Sequence, residues 1–397
     1  MPSTGPRILI VLGTRPEVIK LAPVERALRA YTDWQVSLCC TGQHRELVPP
    51  ILSTFGLQCE VELSAMTPAQ SLSSLMARLL DGIDPVLDAL RFDWVVVQGD
   101  TTTALAGALA AFHRRIPVAH VEAGLRTLDL TAPFPEEANR QLIARLASLH
   151  LAPTPAAREA LLAEGVAPES IEVTGNTVVD ALRWASSRLP LEGAPAPELV
   201  RFAKGRPFVL VTGHRRESFA GGLAAVCTGL ATLARAYPQV DFVYPVHLNP
   251  AVQSAARGLL GGLPNVFLLE PLEYMSAVWL LKRCMFVITD SGGLQEEAPE
   301  FGKPVLVTRT ATERMEGVAA GCAVLVGYDT ELLVTTARRW LDDPSAYAAV
   351  CPRKNPYGDG RAASRCAAAL RRRLGLPAAA VTPWPEARIE RVTTDMR

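Results

Sequence analysis

The chain of 397 residues carries no surplus charge of either sign, because 40 Lys and Arg residues offset 40 Asp and Glu. That balance argues against a dedicated nucleic-acid or membrane-surface binder, which would show a charged footprint. Long hydrophobic runs are missing too. The opening "MPSTGPRILIVLGTRP" holds one apolar run, too brief for a signal segment and far too brief to span a bilayer. The eight cysteines (39, 40, 59, 227, 284, 322, 351 and 366) show no C-x-x-C spacing and sit mostly in apolar surroundings. They read as reduced core residues of a cytosolic protein rather than metal ligands or a disulfide framework. The expectation is a soluble, cytoplasmic protein with no nucleic-acid or membrane partner.

What the sequence does have is length and a regular alternation. A chain of 397 residues exceeds what one hydrophobic core usually supports, which predicts two domains. Short β-branched runs recur at 7–13 ("RILIVLG"), 34–41, 94–100 ("WVVVQGD"), 116–124 ("IPVAHVEAG"), 149–154 and 171–176. Helix-length segments lie between them, at 17–31, 70–90, 101–115 and 136–148. Near-continuous apolar strands separated by helices imply a parallel sheet covered on both faces. The Pro-, Gly- and Ala-rich stretch 186–207 reads as a linker, and strands restart after it at 208–214, 241–247, 265–271, 285–293, 304–310 and 322–327. The expected organisation is α/β, with domains at 1–190 and 191–352, a helix within 353–374 and a loosely held tail at 375–397.

In open parallel sheets ligands bind beyond the carboxyl ends of the strands. The sequence places Gly and short polar residues there repeatedly: "GTRPE", "GDTTT", "EAGLRT", "TGHRRES" and "DSGG". In the last of these, Ser291, Gly292 and Gly293 let a hydroxyl and backbone N–H groups converge on an anion at a helix start, which suits a phosphate or pyrophosphate. Neither a GxGxxG fingerprint nor a P-loop lysine accompanies this turn, so an ordinary strand-to-helix turn is the competing reading. Glu296 or Glu297 can accept from a ribose diol or serve as a helix-start acid. Arg15, before Pro16, can fork onto phosphate oxygens or pair with Glu17 on the surface, and Lys20 lies one turn further. His214 closes "VLVTGH", where it can bind phosphate, shuttle a proton or cap backbone. His247 ends "VYPVH" in a similar position.

Carboxylates form the more telling set. Asp100 ends "WVVVQGD", Glu122 ends "VAHVE", and Glu136 with Glu137 begins a helix after "TAPFP". Each alone can be a cap, Asp100 as an N-cap and Glu136 as a first-turn acid. A cleft for an anionic ligand has little reason to collect three acids unless one or more moves protons.

With these motifs in place, the chain resembles the bacterial non-hydrolysing UDP-N-acetylglucosamine 2-epimerases. The resemblance rests on "GTRPEVIKLAPV", "GQHRE", "GDTTT", "HVEAGLRT", "PFPEEANR", "TGNTVVDAL", "TGHRRESF", "YPVHLNP", "TDSGGLQEEAP" and "NPYGDG", in order from about residue 7 to about residue 373. It implies a GT-B fold of two Rossmann-like domains facing a central cleft, with a C-terminal helix crossing back to the first domain. It implies interconversion of UDP-GlcNAc and UDP-ManNAc with no metal, nicotinamide or other cofactor, and a homodimer. It places Arg15, His214, Ser291, Gly292 and Gly293 on the diphosphate, Arg314 of "ATERMEG" in the same region, and Glu297 on the ribose. Asp100, Glu122 and Glu136 become acid–base candidates, their individual roles left open, with His214 aiding departure of UDP.

The resemblance also implies a second UDP-GlcNAc site, to which Gln43, Arg45, Arg215 and His247 correspond. Two departures bear on it: Glu46 stands where many members carry Gln, and "ATERMEG" lacks the usual Pro after Arg. Three other activities compete with the family reading: a hydrolysing epimerase releasing ManNAc and UDP, a GT-B glycosyltransferase, and a silent UDP-sugar sensor.

Overall fold

The computed structural model describes residues 5–67, 69–213 and 222–384. The first half builds strands β1 (Arg7–Leu12), β2 (Gln35–Cys40), β3 (Val61–Glu62), β4 (Trp94–Gln98), β5 (Val118–Val121), β6 (Leu149–Ala152) and β7 (Ile171–Val173). Its helices are α1 (Arg15–Arg29), α2 (Val48–Phe55), α3 (Leu72–Leu90), α4 (Thr102–His113), α5 (Glu136–Leu146), α6 (Pro155–Ala163) and α7 (Thr177–Ser186). Burial on both faces explains the apolar runs: every residue of β4 is buried, as are Ile8 to Leu12 of β1. The strands pair in parallel in the order β3-β2-β1-β4-β5-β6-β7.

The stretch 186–207 holds the end of α7, turns, and a 3-10 segment at Pro197–Lys204. Strands then resume as β8 (Phe208–Thr212), β9 (Asp241–Pro245), β10 (Val266–Leu269), β11 (Val287–Thr289), β12 (Val305–Val307) and β13 (Ala323–Leu325). They form a second parallel sheet, β10-β9-β8-β11-β12-β13. The helices of this half are α8 (Gly222–Ala236), α9 (Pro250–Leu260), α10 (Tyr274–Arg283), α11 (Gly292–Glu297), α12 (Met315–Ala319), α13 (Thr330–Asp342) and α14 (Pro344–Val350).

The strand order reverses between β1 and β4 in one sheet and between β8 and β11 in the other. These switch points are where ligands enter such sheets. α7 packs against α10 and α11, and Lys20 of α1, after β1, pairs with Glu296 of α11, after β11, which brings the two switch points together.

A last helix, α15 (Ala362–Arg373), packs on α1 and α7 of the first half. Asp180 of α7 accepts from the backbone N–H of Ala362 (3.1 Å) and Ala363 (2.9 Å), satisfying donors at the start of α15 that have no partner within the helix. Burial, opposed by these two bonds, pushes the Asp180 carboxyl up to about 6. Arg371 pairs with Asp33 (2.9 Å) and lies over the rings of Tyr31 and Trp34. The described part of the following segment is bonded as well, Thr382 to Arg365 (2.7 Å) and Pro377 to Arg371 (2.6 Å). The remainder of the tail, 385–397, lies outside the described residues.

Candidate functional site

Glu122 follows β5 with φ +63°, a left-handed conformation rarely adopted by a residue with a side chain. Such a residue costs about 1–3 kcal/mol and persists only where its surroundings over-determine it. Here they do: the carboxylate is 8% exposed and accepts from Lys20, from Gln98 at the end of β4, and from Asn176 Nδ2 (3.2 Å). Asn176 is also the N-cap of α7, its Oδ1 accepting from Val178 N–H (3.0 Å). Beneath lies His120, held neutral by burial, which pushes its pKa down to about 3. A carbonyl only accepts, so the His120 Nε2 proton goes to Gly99 O (2.7 Å) and fixes the turn after β4.

Lys20 joins the two halves. Its ammonium, 6% exposed, bridges Glu122 and Glu296 Oε2 (2.9 Å). Burial alone would lower the Lys20 pKa, but Glu122 and Glu296 overcome it, so the group stays charged above its ordinary value. Glu296 in turn accepts from Arg314 Nε (3.0 Å), and Arg314 pairs further with Glu313. Burial opposes the Arg314 charge, and Glu313, Glu296, Glu122 and Asp100 outweigh it, keeping the guanidinium protonated.

The glycine turn now has a reason beyond its backbone donors. A Cβ on Gly292 would stand 2.7 Å from Arg314 Cζ, so only glycine lets this guanidinium lie against the turn. Ser291 is the N-cap residue of α11, its own N–H bonded to Thr289 Oγ1 (2.9 Å), and Gly293 lies one residue inside the helix. Thr312 ties the Arg314 loop to α11 by donating to Gln295 Oε1 (2.8 Å) and accepting from Arg314 N–H (3.2 Å). Glu296 is committed to ion pairs, which favours Glu297 as the acid left for a ligand. Burial and the adjacent Glu296 push the Glu297 carboxyl up to about 7, against Lys20 and Arg15.

Asp100 is not the N-cap of α4. Thr101 fills that position, its Oγ1 accepting from Ala104 N–H (2.9 Å), so Asp100 is available to pair with Arg140 Nη2 (2.7 Å). Glu137 is the buried member of the Glu136-Glu137 pair. It accepts from the N–H groups of Thr127 (3.0 Å) and Leu128 (3.2 Å) and so pins the loop before α5. Burial opposes its charge, but those bonds, with Gln141 and Arg140, outweigh it and hold the Glu137 carboxyl's pKa below the ordinary carboxylate value. Glu136 occupies the first position of α5, half-buried.

Arg15 is half-buried at the start of α1, close enough for its charge to favour ionisation of Glu297 and Tyr274. The surface pair with Glu17 does not form: Glu17 is fully buried and accepts from Gly13 N–H (3.0 Å), Thr14 N–H (2.7 Å) and Thr101 Oγ1 (2.6 Å). Burial pushes its carboxyl up to about 7 against those bonds.

Gln43 accepts from Thr103 Oγ1 (2.7 Å), which sets the loop after β2 beside the start of α4. Arg45 and His247 stand on exposed stretches, and His247 Nδ1 accepts from Asn249 N–H (3.1 Å). His214 and Arg215 lie outside the described residues, which resume the description of this half at Gly222. Gln98, Arg140 and Asn176 went unnamed in the sequence reading. All three sit inside stretches it singled out, Gln98 in "WVVVQGD", Asn176 in "TGNTVVDAL" and Arg140 in "PFPEEANR". Among the described residues no group of three or more His, Cys, Asp or Glu is placed to hold a metal ion, and no helix is long and apolar enough to cross a membrane.

Two parallel α/β sheets meeting at their switch points, one lined with acids and the other with a glycine turn and an arginine, define a GT-B enzyme. A family model described as UDP-N-acetylglucosamine 2-epimerase matches residues 26–371. The UDP-N-acetylglucosamine 2-epimerase of Escherichia coli is 46% identical over 372 residues, covering 92% of this chain and 98% of that protein. The crystal structure of the Neisseria meningitidis UDP-GlcNAc 2-epimerase bound to UDP-GlcNAc superposes with a TM-score of 0.87 at 39% identity, covering 92% of this chain and 100% of that one. The Staphylococcus aureus MnaA–UDP structure gives 0.89 at 38% identity, covering 96% and 100%. The chain belongs to the UDP-N-acetylglucosamine 2-epimerase family and is an isomerase.

Proposed function

We propose that the chain is a non-hydrolysing epimerase that interconverts UDP-GlcNAc and UDP-ManNAc. The C2 hydrogen is not adjacent to a carbonyl, so removing it does not give an enolate. A carboxylate takes that proton while the C1–O bond breaks, its electron pair leaving with UDP and a C1=C2 bond forming in 2-acetamidoglucal. Return of UDP to C1, with a proton delivered to the opposite face of C2, completes the exchange. Asp100, Glu122 and Glu136 are the acid–base groups. Arg15, Ser291, Gly292, Gly293, Arg314 and His214 hold the diphosphate, Glu297 takes the ribose, and Lys20 serves the reacting end.

The observation that carries this reading is the Lys20 bridge, which joins Glu122 at the acid-lined strand ends to Glu296 beside the glycine turn. A glycosyltransferase needs an acceptor and has no use for three acids near C2. The Neisseria structure holds UDP-GlcNAc and the Staphylococcus structure UDP, which supports the ligand class. Hydrogen bonds to charged groups contribute about 1.5–3 kcal/mol each, so several that strengthen as UDP departs supply much of the stabilisation required.

The proposed location is the cytoplasm, a reading that eight unpaired thiols support. A homodimer is the proposed assembly, checked by light scattering. Gln43, Arg45, Arg215 and His247 are proposed to form a second UDP-GlcNAc site, for which a sigmoidal rate dependence is the check. The primary test is incubation with UDP-GlcNAc in D2O followed by NMR. Deuterium at C2 with UDP-ManNAc accumulating and no released UDP is expected; accumulating ManNAc and UDP would move the chain to the hydrolysing class.

A further inference from the structure

The sequence motif "NPYGDG" (355–360) has no place in the chemistry above, yet it occupies the ground between the two halves of the site. Tyr357, 2% exposed, donates its hydroxyl proton to Arg314 O (3.0 Å) and accepts from Gly317 N–H (3.0 Å), so one hydroxyl fixes both sides of the α12 start. A Cβ on Gly317 would lie 2.8 Å from that hydroxyl, so glycine is what lets the phenol reach the backbone. The Tyr357 carbonyl accepts from Asn176 N–H (2.8 Å), the residue whose side chain holds Glu122. Asn355, also buried, donates to Glu296 O (3.0 Å) and accepts from Tyr357 N–H (3.0 Å). Four bonds thus link this one segment to the backbones of Arg314, Gly317, Glu296 and Asn176, and the fifth braces the segment internally.

We propose that Tyr357 is a positioning residue, whose hydroxyl sets the backbone that carries Arg314 against the glycine turn and thereby tunes affinity for the nucleoside diphosphate. This rests on the reading of Arg314 as a diphosphate ligand. Tyr357→Phe keeps the ring that fills the interior and removes only the two hydroxyl bonds. The Arg314 backbone is then restrained by Thr312 alone of the two side chains bonded to it, and the guanidinium, still paired with Glu296 and Glu313, shifts from its place against Gly292.

The test is UDP binding by calorimetry across a double-mutant cycle of Tyr357→Phe and Arg314→Ala, with thermal unfolding recorded for each protein. Tyr357→Phe is expected to weaken UDP binding about tenfold in the parent chain and less than twofold in the Arg314→Ala background, because coupled residues are non-additive. A purely architectural tyrosine would lower the unfolding temperature with UDP affinity unchanged, or would weaken binding equally in both backgrounds; either result overturns the proposal. Thr312→Val loosens the same loop from its other side, should Tyr357→Phe fail to fold, and the same non-additivity is expected. Unchanged UDP affinity in Arg314→Ala alone would overturn the diphosphate reading itself, an outcome separate from any behaviour of Tyr357.

Discussion

Glu122 and Asp100 follow adjacent strands of one sheet, yet their surroundings differ in almost every respect. Glu122 is buried, sits on left-handed backbone and is gripped by Lys20, Gln98 and Asn176. Asp100, its side chain 27% exposed, rests on an ordinary turn and pairs with one buried guanidinium, Arg140. Two carboxylates in contrasting environments are a common way for one fold to separate two proton-transfer tasks. We read Glu122 as the group that works at one fixed place and Asp100 as the one with room to adjust.

The sharpest way to break this contrast is to remove each charge in turn. Glu122→Gln keeps the shape of the cage and is expected to lower C2 hydrogen exchange by about 10³-fold, read by NMR in D2O. Asp100→Asn should cost about 10²-fold in the same assay. It should also lower unfolding stability by about 1–3 kcal/mol, since the buried Arg140 loses its closest partner. Equal losses of turnover in the two variants would erase the distinction.

A last effect, the smallest when taken per pH unit, concerns Glu17, whose bond to Thr101 braces the Asp100 turn. Its folded-state pKa is raised from 4.5 to about 7, so the fold favours its protonated form. The stability this contributes is complete below pH 4.5 and is lost as pH climbs toward about 7, at about 1 kcal/mol per unit. Urea titrations across that window should show a shallower decline in Glu17→Gln than in the parent, and identical slopes would mean that Glu17 is ionised throughout.

Much of this arrangement is legible in the sequence for a simple reason. Strand ends of a parallel sheet lie on one side, so "WVVVQGD" and "VAHVE" announce two acids near each other without any tertiary information. Neighbouring pairing of β4 and β5 then follows. The partners are another matter: Lys20 meets Glu296 across 276 positions and Asn176 meets Glu122 across 54. No local period encodes such contacts. α2 begins "VPP", which reads as punctuation until the prolines are seen at the first turn of the helix, where a missing N–H costs nothing. β3 spans two residues, too few to show alternation. The alternative reading of Asp100 as an N-cap is set aside because Thr101, one residue on, supplies the hydroxyl cap and leaves the acid available for Arg140.

The return of α15 to the first half has a consequence for the order of events during synthesis. Ala363, Cys366, Ala367 and Leu370 are buried in the same cluster as Val18, Leu21 and Val178. A nascent chain that has finished both sheets therefore still exposes an apolar stripe on α1 and α7, and still lacks the tyrosine hydroxyl beneath Arg314. The stripe is covered and the arginine seated by the same short stretch of chain, so a product terminated before that stretch is marked by the sticky surface that quality-control proteases recognise.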